Sequence, residues 1–287
     1  MTAAKIRLGK IMNGKIMKGI IASLAGMTLI ACAGCGGGGG SGVDSKTSAQ
    51  ATQVSNSPCF ISDPTASPAC IVDGKVLARS IVQYGDDSRL KAVLAKAQSG
   101  QPIVIGAIGG SITQGAWATT AQNTYVGRVF GWWQASFPQS QVTLINAGIG
   151  KTNSKYGNQR VQRDLLQYNP DFVIIEFANN DAPTPDFQES YRQLAQTIMN
   201  APSHPAVIML FTMARDGSNS EDNQIPIGKE LNLPMVALRE AVYPEEQSGQ
   251  LNPIDITADE IHPNDLGHQI IAQIVAYRIL SAQHSTN

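Results

Sequence analysis

The 287 residues carry 21 basic and 22 acidic side chains, a formal charge of −1; five of the cations fall within residues 1–31, leaving 16 against 22, or −6, for the remainder. A net charge of that sign argues against nucleic acid as the partner, because neutralising phosphates takes a basic face. From about residue 80 onward the chain has the size of one α/β domain with a substantial core, and neither an internal repeat nor a second domain is visible.

Residues 1–31 combine Lys5, Arg7, Lys10, Lys15 and Lys18 with no acid and an apolar stretch of 13 residues ending at Ala31. That is the pattern of an export signal; a membrane span needs about 20 apolar residues. Leu29-Ile30-Ala31-Cys32 resembles the lipobox of bacterial lipoproteins. The resemblance implies that Cys32 is acylated and becomes the mature N-terminus, and Ala33 after it implies an outer-membrane address; an ordinary signal peptide cut nearby is the alternative. Residues 32–57, with Gly36 to Gly40 followed by Ser41 and Gly42, have too little side chain to bury and read as a flexible tether. Cys59 and Cys70 are separated by ten residues that include Pro64 and Pro68. In an oxidising compartment they are expected to form a short-loop disulfide in an N-terminal extension at 58–100, with two free buried thiols as the alternative.

Val- and Ile-rich runs at 102–108, 141–146, 171–177, 205–212 and 233–237 alternate with helical patterns at 124–136, 154–168, 186–200, 226–231 and 264–281. Near-continuous apolar strands alternating with helices predict an α/β domain over 101–287, a five-stranded parallel sheet covered on both faces. The helix at 226–231 is expected to begin with its proline, and Arg160, Arg163 and Asp164 read as a solvated face, with a substrate clamp as the alternative. Trp117, Trp132 and Trp133 invite a sugar-stacking reading, but at least two of the three are expected to serve core or helix-face packing.

In an open parallel sheet, ligands bind beyond the carboxyl ends of the strands, where strand order reverses. Gly109-Gly110-Ser111 follows the first strand, Asn146-Ala147-Gly148-Ile149-Gly150 the second and Ala178-Asn179-Asn180-Asp181 the third; in the flavodoxin-like order 2-1-3-4-5 the three turns are neighbours. Ser111 there is a candidate nucleophile, with a helix N-cap as the alternative. Its N–H, the N–H of Gly148 and the side-chain amide of Asn180 are candidate oxyanion donors, although Asn180 read alone is a turn residue satisfying its own loop. Glycine at 148 suits close backbone approach and positive φ. Asp259 stands three residues before His262, a spacing that lets the carboxylate hold one ring nitrogen while the other faces a serine. Of the other three histidines, His204 precedes a strand, His284 is in the tail, and His268 within the last helix reads as a surface or capping residue.

These blocks, spanning Ile103 to His262, resemble the SGNH/GDSL hydrolase superfamily, with serine, glycine, asparagine and histidine in the family's order. The resemblance implies a three-layer α/β/α sandwich. It implies a triad of Ser111, Asp259 and His262, and an oxyanion hole of Ser111, Gly148 and Asn180. Two departures are Gly110 in place of the family's aspartate and Ala178 in place of a glycine. Gly150-Lys151-Thr152 is no phosphate loop, because Ile145 stands where its first glycine is required; Gly106, Gly109 and Gly110 do not make a dinucleotide fingerprint. Thr113 excludes the Gly-x-Ser-x-Gly elbow, and no histidine pair makes a metal site. The expected function is an exported, cofactor-free serine ester hydrolase acting on a small ester or an acetylated polysaccharide, with the membrane reached only through the lipid anchor. Lipase, arylesterase and thioesterase activities would show the same blocks, and a non-catalytic glycan-binding lipoprotein is the rival class.

Overall fold

In the computed structural model, which describes Val72 and residues 74–284, six strands form one sheet. The export signal, the tether and the Cys59–Cys70 pair lie outside the described residues. In chain order the elements are α1 (Gly74–Arg79), β1 (Ile81–Gln83), α2 (Ser88–Gln98), β2 (Ile103–Gly109), α3 (Ser111–Gln114), α4 (Tyr125–Ser136), β3 (Val142–Gly148) and α5 (Ser154–Asp164). They continue with β4 (Phe172–Glu176), α6 (Pro185–Met199), β5 (Ala206–Phe211), α7 (Glu221–Glu230), β6 (Met235–Ala237), α8 (Leu238–Gln247), α9 (Pro253–Ile256) and α10 (Asp265–His284).

The sheet order is β1-β6-β5-β4-β2-β3. Its five parallel strands, β2 to β6, follow the expected order 2-1-3-4-5. The expectation of five strands is corrected by one: β1 joins the edge antiparallel to β6 through Ile81 and Gln83. Three residues carry no periodicity, so only the open edge of β6 turns this segment into a strand. The stretch 74–98, read from sequence as extension, is built into the domain, with Val76, Leu77, Leu90, Val93, Leu94 and Ala97 buried in the core.

Alternation along the strands divides the core into two layers. Phe172 and Ile174 of β4, with Ile208 of β5, face α2, α4 and α10; Val173 and Ile175, with Met209, face α5, α6 and α7. The result is a three-layer α/β/α sandwich. Trp132 and Trp133 are buried between α4 and the sheet, whereas Trp117 is 62% exposed. Helix α7 starts five residues earlier than its proline suggested: Glu221 and Asp222 occupy a first turn that favours acids, and Pro226 sits inside. Among the described residues no helix is long and apolar enough to cross a membrane.

Candidate active site

Gly109 at the end of β2 pairs with Gly148 on β3 and with Glu176 on β4, so the three following turns leave the sheet side by side. Gly110 caps α3, and Ser111 is the first helical residue, its hydroxyl free of capping duty. Ser111 Oγ instead lies 2.8 Å from His262 Nε2. His262 Nδ1 lies 2.8 Å from Asp259 Oδ2 and 3.0 Å from Oδ1. A carboxylate only accepts, so it holds the proton on Nδ1 and leaves Nε2 to accept from the serine. Asp259 Oδ1 also accepts from the N–H groups of Ile261 at 2.8 Å and His262 at 2.7 Å. Burial pushes this carboxyl up, but those two N–H groups and the imidazole outweigh it and hold it at about 2. The loop itself is closed by Thr257 pairing with Pro263 and by Ala258 N–H donating to His262 O.

Asn180 packs against the same turn. A Cβ on Gly110 would stand 2.2 Å from Asn180 Oδ1, so only glycine admits that side chain. Neither side-chain polar atom of Asn180 has a protein partner among the described residues, which leaves the amide unspent for its own turn. The next residue, Asp181, fixes the turn by accepting from Ser154 N–H at 2.8 Å and Gln224 Nε2 at 3.2 Å. Burial raises its carboxyl to about 6 against those hydrogen bonds.

Gly148 differs from expectation. Its N–H donates to Asn146 Oδ1 at 2.9 Å, and it is not in the positive-φ region. Glycine is required because a Cβ would stand 2.2 Å from Gln114 N: the close neighbour is the backbone of the α3 turn. Ile149 N–H goes to Gly109 O and Gly150 N–H to Gln114 Oε1. Lys151, at φ 60, keeps an N–H with no protein partner among the described residues.

Four residues beneath the site escape a reading by polarity alone. Arg160, expected on a solvated face, is 1% exposed; its guanidinium donates to Ala147 O at 2.5 Å and Gly109 O at 3.1 Å, pinning the ends of β3 and β2. Asp164, also expected in solvent, is buried with it, while Arg163 is exposed. The buried positions of α5 are Ser154, Gly157, Arg160, Val161 and Asp164, one face at helical spacing, and that spacing was the signal. Glu176 ends an otherwise apolar strand and accepts from Thr113 Oγ1 at 2.9 Å and Thr212 Oγ1 at 2.8 Å. Complete burial raises its pKa, opposed by Thr212, Thr113 and the Gly110 N–H. His268, read as a surface or capping residue, is fully buried and not at the surface, while its Nδ1 accepts the N–H of Tyr125, the first residue of α4, at 3.2 Å. No group of three or more metal-ligating side chains occurs among the described residues.

A hydroxyl, an imidazole and a carboxylate hydrogen-bonded in series at the carboxyl ends of a parallel sheet define a serine-hydrolase class of site. Residues 107–270 match the model of the GDSL-like Lipase/Acylhydrolase family, and the chain belongs to that family. The thioesterase 1/protease 1/lysophospholipase L1 of Escherichia coli (strain K12) is 26% identical over 150 residues, which cover 49% of this chain and 69% of that protein. A two-domain esterase active on acetylated mannans is similar at 37% identity and a TM-score of 0.72, over 73% of this chain. This chain spans 57% of that esterase's length. An acetyl xylan esterase, 22% identical with a TM-score of 0.52, covers 61% of this chain and is itself covered to 98%; it shares the fold.

Proposed function

We propose that this chain is a serine esterase that removes O-acetyl groups from a polysaccharide through an acyl-enzyme. The observation that carries the reading is the 2.8 Å contact between Ser111 Oγ and His262 Nε2, with Asp259 behind the ring. In this mechanism Nε2 takes the hydroxyl proton as Oγ attacks the acetyl carbonyl. The imidazolium, stabilised by the Asp259 anion, then protonates the leaving sugar oxygen, and water attacks the acetyl-serine by the same route in reverse. The developing oxyanion is met by the N–H of Ser111 and the amide of Asn180. Because Asn146 holds the Gly148 N–H, the open N–H of Lys151 is the candidate third donor of that turn.

The acyl group and substrate are inferred from the likeness to the esterase active on acetylated mannans. The likeness to a thioesterase and lysophospholipase favours long acyl chains as the second reading. The N-terminal pattern supports export and anchoring through Cys32, which puts the enzyme where extracytoplasmic glycan is met. Initial rates on p-nitrophenyl acetate, p-nitrophenyl palmitate, palmitoyl-CoA and acetylated glucomannan separate the readings. Acetate release from glucomannan with little turnover of either palmitoyl substrate is expected; the reverse order overturns the substrate assignment.

A further inference from the structure

Trp117 is the one tryptophan left in solvent, 62% exposed, and its backbone has φ 65. A bulky side chain in the left-handed region is strained, and such strain persists only where the surroundings over-determine the backbone. Both flanks of Trp117 are tied. Ala116 N–H donates to Ser111 O at 2.9 Å. Ala116 O accepts from His268 Nε2 at 3.1 Å; because His268 Nδ1 accepts from Tyr125 N–H at 3.2 Å, the ring proton is on Nε2. On the other flank Thr119 donates its N–H and hydroxyl to the two oxygens of Asp265, at 2.8 and 2.5 Å. The strap carrying Trp117 therefore runs from the helical turn of Ser111 to the start of α10, three residues past His262. None of these bonds involves the indole.

We infer that Trp117 is a sugar-stacking platform, holding a pyranose ring of a neutral acetylated glycan next to Ser111; the inference rests on the esterase reading above. Two other exposed large side chains lie near the same mouth in sequence: Ile261, beside His262, and Tyr156, in the first turn of the helix after the 148–151 turn. An indole carried on a backbone tied at both flanks presents a large amphipathic face, which suits the C–H face of a sugar. The charge of −6 beyond residue 31 disfavours polyanionic glycans and leaves neutral mannan- or xylan-type chains as the class.

The test compares wild type, Trp117→Ala, Trp117→Phe and Trp117→Gly on p-nitrophenyl acetate and on acetylated manno-oligosaccharides. Trp117→Ala is expected to keep kcat/KM on the small ester within about twofold while raising KM on the oligosaccharide about tenfold, the loss of one stacked ring. Trp117→Phe recovers most of that loss. Trp117→Gly, which relieves the strained φ, is expected to match or exceed the wild-type melting temperature and still lose the oligosaccharide. Titration with unacetylated mannopentaose shifts the wild-type indole fluorescence and leaves Trp117→Ala unchanged, since Trp132 and Trp133 are buried. An unchanged oligosaccharide KM in Trp117→Ala, or equal losses on both substrates, overturns the platform while leaving the esterase reading intact. A wild type that cleaves p-nitrophenyl acetate and no acetylated glycan overturns the platform together with the polysaccharide substrate assignment.

Discussion

Replacing Asp259 by asparagine is expected to damage activity more than replacing it by alanine. Oδ1 of Asp259 accepts two backbone N–H groups, from Ile261 and His262, and in Asp259→Asn those donors require the amide oxygen. The NH2 then takes the place of Oδ2 and faces His262 Nδ1, now 2.8 Å away. A donor there drives the ring proton to Nε2, and Nε2–H cannot accept the Ser111 proton. Wrong-tautomer imidazoles in fully buried triads lose on the order of 10⁴ in kcat. The Asp259 side chain is 39% exposed, so water relieves part of the penalty. The expected loss is about 10³-fold, roughly 4 kcal/mol in the barrier. Alanine leaves both tautomers open and is expected to cost about 10²-fold. Steady-state kinetics on p-nitrophenyl acetate between pH 6 and pH 9 reads this directly, with KM changed little in either variant. Asparagine retaining a tenth of wild-type kcat, or alanine falling below asparagine, would refute the tautomer argument.

Arg160→Met removes charge-assisted donors from Ala147 O and Gly109 O and leaves Asp164 buried with only the exposed Arg163; urea unfolding should show a loss of about 3–5 kcal/mol, and a loss below 1 kcal/mol would contradict the pinning role. Gly110→Ala drives a methyl into Asn180 Oδ1; kcat on p-nitrophenyl acetate should fall about 10²-fold at nearly constant KM, the signature of a displaced oxyanion donor. Glu246 is buried with neither carboxyl oxygen hydrogen-bonded, and desolvation raises it to about 7. A raised carboxyl stabilises the fold below the usual carboxylate range and loses that contribution as pH climbs through 7, so Glu246→Gln should exceed wild type by on the order of 1–2 kcal/mol at pH 8 in denaturant melts and show no gain at pH 4.

The strand order and the site positions were legible because β2 and β4 are near-continuous apolar runs and, like β3, lead into glycine- or asparagine-containing turns; Ser111, Gly148 and Asn180 announce themselves by lying at those turns. Asp259 and His262 were legible through local spacing. What escaped depends on partners distant in sequence. Arg160 and Asp164 look like surface charges until the carbonyl ends of β2 and β3 arrive over the guanidinium. Gly148 has the right residue type, yet its N–H is claimed by Asn146, and hydrogen-bond ownership leaves no trace in the chain. The burial of His268 left no sign because its two partners, Ala116 and Tyr125, lie more than 140 positions away. Strand β1 is too short for a pattern and exists because β6 offers an edge.

The most direct test of the nucleophile is chemical. Wild-type protein treated with a fluorophosphonate probe and analysed by intact and tryptic mass spectrometry is predicted to carry one adduct, on Ser111; Ser111→Ala should carry none and hydrolyse no ester, and His262→Ala should label far more slowly. An adduct on a different side chain, or ester turnover that persists in Ser111→Ala, would contradict the account.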